Sequence, residues 1–262
     1  MNQLSDLRGR HQGETIYIVA SGPTLDRYDL EFLKSEITIG VNWAFRHVDQ
    51  LTYQITKHHE TAEACLSETE STISLVSRKN SSHTKPIESL ETNNRIVMFD
   101  HPASNKSGPI NWSPDQVNDD RLMVSWSTIT SAMHLAAVMG ARTAILIGYD
   151  GGVFPSKRNV EGYQRRTMPD LFHKHRYWAF VDQTLEARSL LESAFPIRYI
   201  SLSPFLGLDL EGAPFIGRFG AINLNQAEDR RARLDKTIFR GFSLATAIGH
   251  KVQLKLQRAR RR

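Results

Sequence analysis

The chain is poor in cysteine, with only Cys65 among its 262 residues. One cysteine excludes a disulfide within the chain and a zinc site built on several cysteines. This usage suits a reducing compartment, so we expect a cytoplasmic protein. No apolar run approaches the roughly 18 residues of a membrane span. The polar stretch 1–14 also lacks the apolar core of a signal peptide.

Several common nucleotide and metal motifs are missing as well. The dinucleotide pattern G-x-G-x-x-G is absent, because Ala20 stands where its first glycine would be. The sequence contains no G-x-x-x-x-G-K-[S/T] loop, no D-x-D triplet and no H-E-x-x-H motif, although Asp119 and Asp120 are adjacent. We therefore predict no metal site and no resident cofactor.

Acidic residues are absent from the C-terminal end, where the excess positive charge is found. The chain has 33 Lys and Arg against 28 Asp and Glu, a net charge of +5. Seven basic residues lie in 240–262, so 26 basic and 28 acidic residues remain elsewhere, a balance of −2. A body of this charge argues against a protein that coats nucleic acid. We divide the chain into a domain at 1–239 and a basic tail at 240–262.

The basic tail also contains apolar residues between its lysines and arginines. One interpretation is a poorly ordered, solvated segment. The other is an interfacial helix on anionic lipid, which would make the protein peripheral on the inner face of a membrane. The apolar residues of the tail are Phe242, Leu244, Ile248, Val252, Leu254 and Leu256.

The chain is organised around the stretch 16–25, where an apolar strand runs into Ser-Gly-Pro-Thr. Both faces of this strand are apolar, which is typical of a buried parallel strand. Gly22 permits a sharp turn or the close approach of a ligand, and Pro23 suits the first turn of a helix. A strand, glycine turn and helix offer backbone N–H groups to phosphate at the carboxyl end of the strand. An ordinary β-turn-α connection is the alternative.

Further strands alternate with helical stretches. We predict strands at Ile37–Val41, Gln50–Ile55, Arg95–Phe99, Ala144–Gly148 and Ile197–Leu202.

Helices are predicted at 25–34, at 127–139 with Gly140 at its end, and from the histidines near 173–175 to about Ala194. Ser127 or Thr128 is expected to cap the second of these. The Ser/Thr/Glu-rich region 61–94 is predicted to hold a helix at about 63–76 and a peripheral loop. The alternation predicts an α/β, Rossmann-like fold, with a parallel sheet, helices on both faces and a small lid at about 153–175.

Polar residues follow the predicted strands at their carboxyl ends, where open α/β sheets bind ligands. Asn42 follows the second strand, His58 and His59 follow the third, and Asp150 follows a later one. Two of these residues have a structural alternative, since Asn42 could satisfy a turn and Asp150 could form an Asx turn instead of contacting a ribose.

The order of the segments resembles a known family. I-V-A-S-G-P-T-L is followed by T-I-G-V-N-W-A-F, by S-W-S-T-I-T-S-A-M-H-L-A-A-V-M-G-A-R-T-A-I-L-I-G-Y-D, by a histidine before a long helix, and by P-I-R-Y-I-S-L-S-P-F. From about Ile16 to Phe205 the chain resembles the bacterial lipooligosaccharide sialyltransferases that use CMP-sialic acid. It also resembles the wider MptE-like family, which contains archaeal 6-hydroxymethylpterin diphosphokinases. The order and spacing of the segments carry the resemblance.

The resemblance implies nucleotide-binding roles for the glycine loop, a strand-end asparagine, a helix start and a Gly-x-Asp turn. These residues are Ala20, Ser21, Gly22, Pro23, Asn42, Ser127, Thr128, Gly148, Tyr149 and Asp150. A second family asparagine is replaced here by His58 and His59.

The resemblance also implies a catalytic histidine just before the long helix. His173 and His175 both occupy this position and both remain candidates for the general base. Tyr163 corresponds to one phosphate-gripping tyrosine of the family. Arg165 and Arg166 either form a solvated face or fold over a phosphate, which arginine binds in bidentate fashion.

The predicted function is transfer of sialic acid or a related acid sugar from a CMP-linked donor to a surface-glycan acceptor, as in lipopolysaccharide biosynthesis. The resemblance implies a metal-independent reaction with inversion. The predicted partners are donor, acceptor, an anionic membrane surface and a second copy of the chain, without nucleic acid. Alternatives are a diphosphokinase that uses ATP and magnesium, or a non-catalytic nucleotide-binding protein. Asn42 favours the transferase, because the MptE-like pattern has aspartate there.

Overall fold

A computed structural model describes residues 3–79, 87–101, 120–124, 127–149 and 183–202. Within these ranges seven strands form one sheet in the order β5-β4-β3-β2-β1-β6-β7, and all neighbouring strands are parallel. The predicted Rossmann-like α/β fold is therefore confirmed. The strands are β1 (Thr15–Val19), β2 (Ile37–Val41), β3 (Tyr53–Thr56), β4 (Ile73–Ser77), β5 (Ile96–Phe99), β6 (Thr143–Ile147) and β7 (Arg198–Ser201).

The strand order reverses at β1. The chain first moves outward through β2, β3, β4 and β5, then returns to place β6 on the other side of β1. Ile16 of β1 accordingly lies opposite Ile37 of β2 and Ala144 of β6. Open parallel sheets bind ligands outside the carboxyl ends of the strands at such a reversal. The topology therefore indicates the segments that follow β1, β2 and β6 as candidate ligand-binding segments.

Alternate residues of β1 enter two cores on opposite faces of the sheet. Ile16 and Ile18 belong to a cluster that includes helix α2 (Ile129–Val138) and part of a helical stretch at 183–194. Tyr17 and Val19 belong to a cluster on the other face. Because both faces are covered, each apolar residue of the strand is buried, and a fully buried side chain contributes roughly 1.5–3 kcal/mol.

The C-terminus of α2 confirms the predicted stop at Gly140. The N–H of Ala141 donates to the carbonyl of Ala136 at 3.1 Å, and the N–H of Gly140 donates to that of Ala137 at 3.0 Å. These two bonds form a Schellman motif, in which Gly140 adopts a φ of 82°. Within the described ranges, none of the helices has the length and apolar character that crossing a membrane requires.

Two predictions about the connections are wrong. The stretch 25–34 is not one helix, since it contains the 3₁₀ segments Pro23–Arg27 and Glu31–Ser35. The region 61–94 is not a longer helix with a peripheral loop, because α1 (His59–Glu68) is followed by β4 inside the sheet. The strand was missed because it lies in a Ser/Thr/Glu-rich region and itself contains two serines. Its buried Ser74 and Ser77 are tolerated because both hydroxyls form hydrogen bonds.

Candidate functional site

The turns after β1 and β6 are joined by backbone hydrogen bonds across the reversal. The N–H of Ala20 donates to the carbonyl of Ile147 at 2.9 Å, and the N–H of Gly22 donates to that of Gly148 at 2.6 Å. The second bond uses an N–H that the glycine turn was expected to offer to phosphate. The φ of Gly22 is −74°, a value that any residue adopts. The ligand roles of the glycine loop, Ala20 to Pro23, stay a prediction.

Gly148 is the position in these two turns that needs glycine. Its φ of 68° lies in the left-handed region. A Cβ atom added here would lie 2.9 Å from the carbonyl oxygen of Ala20 and 3.3 Å from the side chain of Leu25. Gly148 therefore allows the turn after β6 to approach the turn after β1.

Asn42 is held in a left-handed conformation at the end of β2, with a φ of 55°. Asparagine is one of the few residues other than glycine that tolerate this region. The backbone oxygen of Asn42 accepts a hydrogen bond from Nε2 of Gln54 at 3.1 Å, and its Oδ1 accepts one from the hydroxyl of Thr56 at 3.0 Å. The turn role is therefore present, while the ligand role stays a prediction.

Gln54 and Thr56 were missed by sequence reasoning. Both lie on β3, two residues apart and hence on the same face of the sheet, and both are fully buried. The available signal was the alternation Tyr53-Gln54-Ile55-Thr56, which places polar side chains in a strand buried on both faces. A buried polar side chain requires hydrogen-bond partners, and here both side chains donate a hydrogen bond to Asn42.

The start of α2 points to the same edge of the sheet. The carbonyl of Val138, at the other end of the helix, accepts a hydrogen bond from the N–H of Gly9, which precedes β1. The start of α2 therefore lies toward the carboxyl ends of the strands. Thr128 occupies the N-cap position without a side-chain capping bond, and the hydroxyl of Ser127 accepts from the N–H of Ile129 at 3.3 Å.

Tyr149 turns its side chain into the core. Its hydroxyl lies 3.0 Å from Oγ1 of Thr184, in the helical stretch 183–194. Burial raises the pKa of Tyr149 to about 12, so the phenol is neutral. The hydroxyl ties the end of β6 to this helix, and a contact of Tyr149 with a nucleotide would come from its backbone.

The two histidines after β3 have different surroundings. His59 is buried, and its Nδ1 accepts a hydrogen bond from the N–H of Ile87 at 3.0 Å. Its Nε2 lies 3.0 Å from the carbonyl oxygen of Ser77. This pair of partners matches a neutral ring with its proton on Nε2, which is a structural role. His58 is half-buried at the N-cap of α1, and a ligand role for it stays a prediction.

His134 in α2 is also a core histidine. Its Nδ1 accepts a hydrogen bond from the N–H of Met123 at 2.9 Å. Burial, followed by the positive charge of Arg8, lowers the pKa of His134 to about 3. The ring is therefore neutral at physiological pH.

The remaining predicted positions lie outside the described residues. They include the lid at about 153–175 and the basic tail at 240–262. Within the described ranges no group of three or more His, Cys, Asp or Glu side chains is arranged to hold a metal ion. The predicted site residues in question are Asp150, Tyr163, Arg165, Arg166, His173 and His175.

Comparison with known proteins adds one structural likeness. No family model and no curated protein matches the sequence. Among solved structures, the chain is similar to the sialyltransferase CstII from Campylobacter jejuni in complex with a substrate analogue, cytidine-5'-monophosphate. The two sequences are 13% identical, the match covers 81% of this chain and 87% of that chain, and the TM-score is 0.43. At this identity and TM-score the likeness is distant, and it assigns no function to this chain.

Proposed function

We propose that the protein transfers an acid sugar, of the sialic acid class, from a CMP-linked donor to a glycan acceptor. The observation that carries the proposal is the convergence of Gly22, Asn42 and Gly148 on the carboxyl edge beside the strand reversal. The start of α2 reaches the same edge. These are the segments whose order along the chain resembles the sialyltransferases. Lys57 and His58, which follow β3, suit an anionic ligand there.

The proposed reaction is a direct displacement. A hydroxyl oxygen of the acceptor forms a bond to the anomeric carbon, while the bond from that carbon to the phosphate oxygen breaks. The hydroxyl proton passes to His175 or His173, and the bonding electron pair leaves with CMP. Attack opposite the leaving group inverts the anomeric configuration.

The departing CMP phosphate gains negative charge, so hydrogen-bond donors should face it. Asn42 and the hydroxyls of Ser127 and Thr128 are the described candidates. Tyr163 and the Arg165–Arg166 pair complete the set under this proposal. These groups supply donors from the protein itself, which is the basis for expecting transfer without a metal ion.

Two other functions make different demands on the same edge. A diphosphokinase would bind ATP with magnesium, which prefers carboxylate ligands, and Asn42 places an amide where that pattern has aspartate. A non-catalytic protein would bind nucleotide through the same strand ends without a base.

The choice of nucleotide gives the first prediction. We expect CMP, at about 100 times its Kd, to stabilise the protein by about 2.7 kcal/mol, which corresponds to a rise in Tm of roughly 5 °C without magnesium. Thermal unfolding with CMP, CDP, ADP and ATP, each with and without magnesium, measures this. Stabilisation by ATP alone, and only with magnesium, would identify the diphosphokinase instead.

The basic tail gives the second prediction. The proposal places the enzyme on a cytoplasmic membrane surface, where it meets a lipid-linked acceptor. Deleting 241–262 should leave Tm unchanged and release the protein from vesicles containing phosphatidylserine. Each lysine or arginine near such a surface contributes about 1 kcal/mol, which salt weakens. Vesicle co-sedimentation tests this, with neutral phosphatidylcholine vesicles as the control. Equal binding by the full-length and shortened proteins would rule out the tail as the anchor.

A further inference from the structure

We propose that Gln54 and Thr56 are positioning residues, which hold Asn42 so that its side-chain amide N–H₂ group is presented to the nucleotide. The inference rests on the proposed function for the identity of the ligand. The orientation of the amide follows from the hydrogen bonds of β2, β3 and β4 alone.

The orientation of the Asn42 side chain follows from Thr56. Thr56 is fully buried, and its oxygen accepts a hydrogen bond from the N–H of His58 at 3.1 Å. Its hydroxyl proton then needs an acceptor, and Oδ1 of Asn42 lies 3.0 Å away. If the amide of Asn42 were reversed, its N–H₂ group would face the Thr56 hydroxyl. The hydroxyl proton of Thr56 would then have no acceptor in the core, at a cost of about 1–3 kcal/mol.

The backbone of Asn42 is held by a second set of hydrogen bonds, which runs through Gln54. The hydroxyl of the buried Ser74 donates to Oε1 of Gln54, so the side-chain amide of Gln54 directs its nitrogen away from Ser74. That nitrogen donates to the backbone oxygen of Asn42 at 3.1 Å. These hydrogen bonds thus connect β4 through β3 to the residue that follows β2.

The hydrogen bonds from Thr56 and Gln54 to Asn42 replace the backbone hydrogen bonds that would continue the pairing of β2 with β3. The register of β2 and β3 ends at Val41 opposite Ile55, and Asn42 then leaves the sheet with its left-handed φ. Both oxygens of Asn42 are engaged by β3 side chains. Its amide N–H₂ has no hydrogen-bond partner among the residues that the structure describes.

A fixed amide with both N–H donors available suits an oxygen of the nucleotide, as either a phosphate oxygen or a base carbonyl. Because Gln54 and Thr56 set the orientation before the ligand arrives, ligand binding does not have to order the side chain. This role is a positioning one, since neither residue needs to touch the ligand.

The test measures the Kd for CMP of variants that lose or keep a single threonine hydroxyl. Thr56→Val removes the hydroxyl with little change in shape and should raise the Kd for CMP about 10-fold, or about 1.4 kcal/mol. Thr56→Ser keeps the hydroxyl and should stay within about 3-fold of wild type. Thr38→Val is the matched control, because Thr38 is an equally buried threonine of β2 that bonds Thr52 toward the other edge of the sheet.

The Asn42→Gly background separates positioning from general damage. Glycine keeps the left-handed backbone but removes the amide, so Thr56→Val should change the Kd by less than about 2-fold in this background. A further 10-fold loss there, or an equal loss from Thr38→Val, would overturn the inference. Calorimetric titration measures the wild type, the four single variants and the double variant.

Thermal unfolding without ligand tests the same arrangement independently. Thr56→Val should lower Tm by several degrees in the wild-type background and by clearly less with Asn42→Gly, because the two residues interact. Additive shifts in Tm would overturn the inference even if CMP binds. If wild type binds no CMP while the Tm shifts are non-additive, the proposed function fails and the orientation of Asn42 stands.

Discussion

Replacing His175 with alanine is expected to lower sugar transfer about 10²–10⁴-fold, while the Kd for CMP stays nearly unchanged. If His173 is the base instead, His173→Ala shows this loss and His175→Ala does not. The physical reason is that the attacking hydroxyl must lose its proton as the new bond forms, and histidine accepts a proton near neutral pH. Single-turnover assays with a CMP-linked donor and a glycan acceptor measure the rate.

Two comparisons make this result specific. His250→Ala changes a histidine of the basic tail, to which the mechanism assigns no role, and should leave the rate within about 2-fold of wild type. The double variant should be no slower than the slower single variant. Only one of the two histidines is the base, so replacing the other has no further effect on the rate. Near-wild-type turnover in both single variants and in the double variant would eliminate the histidine mechanism.

Gly148→Ala is expected to lower the free energy of unfolding by about 2–4 kcal/mol and to weaken CMP binding. A left-handed φ costs an alanine roughly 1–2 kcal/mol. The added Cβ would also lie 2.9 Å from the carbonyl oxygen of Ala20, which belongs to the backbone and cannot rotate aside. Relief of this contact must move the turn after β6 away from the turn after β1.

Gly13→Ala provides the matched control for this prediction. Gly13 has a φ of 79°, and a Cβ atom added there meets nothing within 4 Å. Gly13→Ala should therefore show only the backbone cost of roughly 1–2 kcal/mol, with unchanged CMP affinity. Urea unfolding of both variants gives the comparison. Equal losses of stability would mean that the contact with Ala20 has no energetic consequence.

The sequence alone was sufficient for the fold class and for several strand ends. β1 has apolar residues on both faces, and Gly140 follows a buried helical pattern, so local periodicity predicted both a covered parallel strand and a helix stop. Asn42 was recognised because it follows an apolar strand, where ligands of open sheets bind. These features depend on neighbours within a few residues along the chain, which a sequence displays directly.

The tertiary structure decided which polar groups meet. β4 was missed because Ser74, a polar residue inside a buried strand, is satisfied by a distant partner: its hydroxyl bonds Gln54, 20 residues away in sequence. The N–H of Gly22 is used by Gly148, and the hydroxyl of Tyr149 reaches Thr184, 35 residues away. The local pattern of apolar and polar residues predicts whether a residue is buried. The hydrogen-bond partner of a buried polar group depends on packing between segments that are distant in sequence. The sequence alone therefore predicted which polar residues follow the strands, and the tertiary structure determined which of their atoms are already paired within the protein.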